Sequence, residues 1–71
     1  MLTASTKPAW RGYTFEQLRR CAERELTLRR QVYPNRVLTN RMSRQQADSE
    51  IDKMRVIAEV MAELAEKERL L

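Results

Sequence analysis

The stretch Val32–Gln46, VYPNRVLTNRMSRQQ, decides how this chain folds. It stands between two segments whose apolar residues recur at helical spacing. Pro34 has no backbone N–H to donate, and it biases Tyr33 away from helical angles. The first helix is therefore expected to kink or break at Tyr33-Pro34. Proline suits a first helical position, so residues 34–39 are expected to add a short helical turn of their own. Asn40 tolerates the left-handed conformation that closes a helix. Ser43 with Gln46 three residues on forms a capping-box pattern, so the next helix opens near residue 44. A flexible linker would be rich in Gly, Ser or charge and would lack paired stop and start signals. The stretch reads as the corner of an antiparallel helical hairpin.

Upstream, Thr14 and Gln17 make a first capping-box pattern, with Tyr13 placed to staple against Leu18. Stepping about 100° per residue from Phe15, Phe15, Leu18, Cys21, Ala22, Leu26, Leu28, Val32 and Tyr33 fall on one broad apolar arc. That arc is wide enough for more than one neighbour. Glu25 and Arg29 intrude near its middle. They lie four apart with Glu first, the favourable order for a helical ion pair. They read as a structural polar pair that fixes register, or as a polar spot reserved for a partner.

Downstream, Ala47, Ile51, Met54, Ala58, Met61 and Ala65 repeat at spacings 4-3-4-3-4, the heptad seam of a coiled coil. Ile57, Val60 and Leu64 form a second stripe beside it, flanked by Val56 and Leu71. The far side carries Asp48, Asp52, Glu59, Glu63 and Glu66. Asp48, Glu50 and Asp52 are expected to crowd the first turns, and Lys67 and Arg69 to stand near the end, as the helix dipole favours. The methionines suit core packing or an adaptable binding surface. The predicted fold is all-α: a helix over 14–33, a short turn over 34–39 and a helix over 44–69, preceded by an extended arm over 1–13. In that arm Trp10 either packs back over the hairpin or anchors a partner.

Composition narrows the chemistry. Seventy-one residues make one small domain with a modest core, so dimerisation or a partner is expected to complete it. With no histidine and one cysteine, neither a zinc site nor an internal disulfide is expected. Gly12 stands alone, so there is no phosphate-cradling loop, and the chain is not expected to be an enzyme or to carry a cofactor. No signal peptide or membrane span is read, so the expectation is a cytoplasmic protein with Cys21 a free thiol.

Charge is uneven. Residues up to Arg44 hold ten basic and three acidic side chains; the rest hold four and seven, giving the net +4. Either the halves attract each other or the basic half faces an acidic partner. Arg36, Arg41 and Arg44 at the corner read as solvated charges or as a basic patch for phosphate or an acidic protein.

The middle forty residues resemble small proteins encoded in temperate bacteriophages and proteobacterial prophages. The resemblance rests on Glu23–Leu26 (EREL), Arg29–Pro34 (RRQVYP), Arg41–Ser43 (RMS), Ala47, Glu50-Ile51 and Met54. Asn40 stands where such proteins often have glycine. The resemblance implies phage origin, a bacterial host and a helical hairpin, and it brings no site residues. The sequence thus points to a non-enzymatic module that docks on a host or phage protein and modulates it, as a host-takeover or anti-defence inhibitor. Its partner-interface residues would be Trp10, Ile57, Val60 and Leu64, and a homodimer would use the same surplus apolar surface. The alternative is a nucleic-acid-binding accessory protein working through the basic first helix and corner.

Overall fold

The computed structural model describes residues 10–70 and contains two α-helices, α1 Phe15–Leu38 and α2 Arg44–Arg69, packed antiparallel. The expected all-α hairpin is the fold observed. Residues 1–9, most of the proposed arm, lie outside the described residues, as does Leu71.

α1 opens on a complete capping box. Thr14 Oγ1 accepts the Gln17 N–H at 3.1 Å, and Gln17 Oε1 accepts the Thr14 N–H at 2.8 Å. Two donors left orphan at the helix start are thereby satisfied. Before it, Trp10 and Tyr13 exchange both backbone hydrogen bonds, 3.2 and 3.0 Å, around Arg11 (φ 58°) and Gly12 (φ 87°). Positive φ at both central residues is the signature of a type I′ turn. Glycine meets that geometry freely, whereas arginine adopts it against its Cβ. Residues 10–13 are thus a tight reverse turn, not extended chain.

The corner differs from its expected form in one respect. α1 does not break at Pro34; it runs through it to Leu38, so residues 34–38 are its last turn and not a separate element. The proline forfeits one hydrogen bond, from its missing N–H to the Arg30 carbonyl. Pro34 itself stands exposed, while Val37 is half-buried beside Ala47 and Ile51, which keeps the following turn helical. The true corner is Thr39–Ser43. Asn40 has φ 59°, its N–H reaches the Val37 carbonyl at 3.1 Å, and the Arg41 N–H reaches the Arg36 carbonyl at 2.8 Å. These two bonds make a Schellman closure around a left-handed residue.

Ser43 then caps α2, its Oγ accepting the Gln46 N–H at 3.0 Å. The first turn of α2 is Arg44–Ala47 and contains no acidic residue. Asp48, Glu50 and Asp52 therefore stand beyond the first turn, where the dipole has largely faded, a correction to their expected role. Lys67 and Arg69 do occupy the last turn.

The helices meet along small side chains. Ala22, Ala47, Met54, Ala58 and Ala65 are the buried apolar residues, and Leu26 packs against the cluster of Ala22, Met54 and Ala58. Every expected seam position is buried or half-buried; Ile51 and Met61 are the half-buried ones. Alanine at the contact lets helices approach closely, but each buries little area. Among the described residues no side chain is less than 2% exposed. The Cα trace measures 54 × 19 × 14 Å with a radius of gyration of 16.0 Å, against about 11 Å for a compact chain of this length. Among the described residues the two helices form a single layer with no third element to close over them.

Candidate docking surface and basic corner

The outward faces follow from helical periodicity and from which flanks of the two helices meet. Glu16, Arg19 and Arg20 line one groove together with Ala62, Glu66 and Arg69, and Pro34 and Leu38 line another with Arg44 and Asp48. Those residues lie to one side of each helix's seam. Cys21 and Leu28 on α1, and Ile57, Val60 and Leu64 on α2, lie to the other side. They therefore share the opposite broad face of the hairpin. Leu28 is 51% exposed, Ile57 46% and Val60 44%; Leu64 is half-buried.

Cys21 and Leu28 were expected on α1's apolar arc, and they do not face α2. The arc is wider than one alanine-lined seam can cover, so its edge stays in water. The expected interface residues Ile57, Val60 and Leu64 are thus brought together on one face. Trp10 is not: it stands on the turn before α1, 68% exposed, with Tyr13 also exposed. It does not pack back over the hairpin.

Glu25 and Arg29 form their ion pair, Nε to Oε2 at 3.0 Å. Arg29 does more than pair. Its Nη1 donates to the Glu50 backbone carbonyl at 2.8 Å and lies 3.7 Å from the Glu50 carboxylate. The guanidinium ties the helices together across the seam, and its planar fork serves both partners at once. We expect Arg29→Lys to lower unfolding stability by about 1 kcal/mol, because one ammonium cannot reach both. Urea denaturation checks this; an unchanged midpoint would mean that the tie contributes nothing.

Arg36, Arg41 and Arg44 are exposed and gathered at the corner end, the first two joined through the Schellman bond. Among the described residues none of the three is in an ion pair. The Arg36 guanidinium lies 5.5 Å from the Tyr33 ring centre and that of Arg29 lies 5.9 Å from it, so Tyr33 holds two cations by its ring.

Sequence reading missed Glu68. It is only 7% exposed, and its Oε2 accepts the Phe15 N–H at 3.1 Å. The carboxylate of one helix end thereby closes the N-terminus of the other, where the dipole favours negative charge. The signal was present: Glu68 is the next heptad position after Ala65. A carboxylate in an apolar seam makes sense only once antiparallel packing puts a helix N-terminus opposite it.

At the same end the Arg19 side chain, hydrogen-bonded to Glu16, holds that carboxyl below its ordinary value; partial desolvation works against this, and Arg20 adds to it. A lowered folded-state value means that the contribution is present above the usual glutamate range and is lost as pH falls through the lowered one. Wild type and Glu16→Gln should therefore differ in urea midpoint at neutral pH and converge in acid. A difference that persists in acid would rule out this linkage.

Among the described residues no group of acidic or cysteine side chains could hold a metal ion, and no helix is long and apolar enough to cross a membrane. What the surface offers is one broad apolar face, one exposed aromatic turn and one basic corner. No family model, curated protein or solved structure matches the chain.

Proposed function

We propose that the chain is a non-enzymatic, phage-derived protein-binding module, which docks on a host or phage protein in the bacterial cytoplasm and modulates it as an inhibitor. One observation supports this reading above the others. Large apolar side chains stand in water on Trp10, Leu28, Ile57 and Val60, while among the described residues no side chain is fully buried. Apolar surface of this kind gains free energy when another macromolecule covers it. The tight turn adds a second element, because an exposed Trp beside Arg and Tyr on a fixed backbone is the composition of an interface anchor.

Affinity capture from host lysate, with and without nuclease, tests it. Trp10→Ala should reduce recovery of a nuclease-insensitive partner at least tenfold, as for an anchor worth about 1.4 kcal/mol or more. Undiminished recovery would remove Trp10 from the interface.

The unpaired Arg36, Arg41 and Arg44 favour a second reading, a nucleic-acid-binding accessory protein. Phosphate-driven binding weakens steeply with salt. Titration of random duplex and single-stranded DNA at two salt concentrations separates the readings: no binding at low salt removes the second, and tight salt-sensitive binding demotes the first.

A further inference from the structure

We infer that the broad face bearing Cys21, Leu28, Ile57, Val60 and Leu64 is covered by a second copy of this chain, with α1 of each copy lying on α2 of the other. The inference builds on the docking reading: it assigns this apolar face to a second copy and leaves the exposed Trp10 turn as the surface that meets the target. Two observations carry it, area and charge.

The helices that form the face are 24 and 26 residues long, roughly 37 Å at about 1.5 Å per residue, in a trace 19 Å wide; the outline of about 700 Å2 approaches the roughly 800 Å2 per partner of a standard interface. A second hairpin laid on it matches its length and width and turns a single layer into a four-helix bundle. Residues left half-exposed in the hairpin, Leu28, Ile57, Val60 and Leu64, then become its core.

Charge selects how the copies stack. α1 carries six arginines against three glutamates; α2 carries five basic against seven acidic side chains. Two face-to-face arrangements have two-fold symmetry. In one, like helices meet and net-positive α1 lies on α1. In the other, the axis runs along the hairpin and each helix lies on the unlike helix of the other copy. Only the second makes every neighbouring pair in the bundle opposite in net charge. Both arrangements keep neighbouring dipoles antiparallel, so the side-chain charges decide.

The unlike arrangement has a consequence for function. An axis along the hairpin leaves both copies pointing the same way. Both Trp10 turns emerge at one end and both arginine corners at the other, so the dimer offers a target two aromatic anchors side by side. Linked anchors gain from effective concentration.

The same geometry fixes the test. Ala22 clusters with Met54 and Ala58, and the Phe15–Glu68 and Arg29–Glu50 contacts bracket the register, so Cys21 lies about level with Val60. In the unlike arrangement Cys21 faces Val60 of the second copy, while the two Cys21 thiols are diagonal across the bundle. In the like arrangement the two Cys21 side chains approach each other near the middle of the apolar stretch. Light scattering should give twice the 8.5 kDa chain mass, and Val60→Glu should raise the dissociation constant at least a hundredfold with helicity retained. Under copper–phenanthroline oxidation, Val60→Cys should give a covalent dimer on a non-reducing gel. Wild type should not, and neither should Val60→Cys combined with Cys21→Ala. A monomer at micromolar concentration overturns the dimer, and efficient cross-linking of wild type overturns the unlike stacking. Either result leaves the docking reading standing if Trp10→Ala still reduces target capture at least tenfold. The Arg29–Glu50 contact puts Leu28 about level with Lys53 on the same face, so if Val60→Cys is poorly folded, measured by circular dichroism, the same stacking is read from Leu28→Cys with Lys53→Cys in a Cys21→Ala background; absence of a covalent dimer there overturns the proposal.

Discussion

Met54→Asp should abolish helical circular dichroism under conditions in which the wild-type chain is folded. Among the described residues Met54 is the only large apolar side chain that is buried; the other buried apolar residues are alanines. It is 8% exposed and packs within the cluster of Ala22, Ala58 and Leu26. Aspartate there removes the methionine's contacts and takes a carboxylate out of water with no cation to meet it. An uncompensated buried charge costs roughly 3–5 kcal/mol. A core below about 80 residues supplies roughly 3–5 kcal/mol in all. The penalty equals the whole stability, so unfolding is the expected result and not a shifted midpoint. Val56→Asp is the control. Val56 lies behind the seam and is exposed, and its replacement should move stability by no more than about 0.5 kcal/mol. Retained helicity in Met54→Asp would mean that the helices do not depend on this seam.

Glu68→Ala should lower the free energy of unfolding by about 2 kcal/mol. A hydrogen bond to an ionised acceptor contributes roughly 1.5–3 kcal/mol, and a charge at a helix terminus adds a fraction of one. The contact joins α2's last turn to α1's first residue, so its loss should loosen both ends together. Amide hydrogen exchange at Phe15 reads this locally: it should speed up at least tenfold in Glu68→Ala. Glu68→Gln keeps an acceptor and loses the charge, so it should fall between wild type and alanine. Equal exchange at Phe15 in all three proteins would show that the carboxylate does not hold that amide in solution. Arg19→Ala removes the half-buried ion pair with Glu16 beside this end but leaves the Glu68 contact in place, so amide exchange at Phe15 should stay close to wild type.

Local chemistry wrote much of the fold into the sequence. Thr14 with Gln17, Asn40, Ser43 and the heptad from Ala47 to Ala65 each act within a few residues of themselves, and all took the places that their spacing indicated. Pro34 did not, because breaking a helix is a local preference and packing of the turn beyond it is not. Once Val37 lies beside Ala47 and Ile51, one missing hydrogen bond on the exposed side is the smaller term. The position of Cys21 and Leu28 was lost for a related reason. Periodicity gives the width of an apolar arc but not which part of it the neighbouring helix covers.

The sequence by itself determined two amphipathic helices, their caps and the turn between them, since these follow from backbone hydrogen bonding and a repeat of three to four residues. Only the tertiary structure decided that Glu68 closes α1, that Arg29 reaches across to Glu50, and that two half-covered stripes join into one face. Each of those depends on which residues antiparallel packing sets side by side, from Phe15 and Glu68 at the open end of the hairpin to Arg29 and Glu50 nearer its corner. Separations of that kind leave no periodic trace in the sequence.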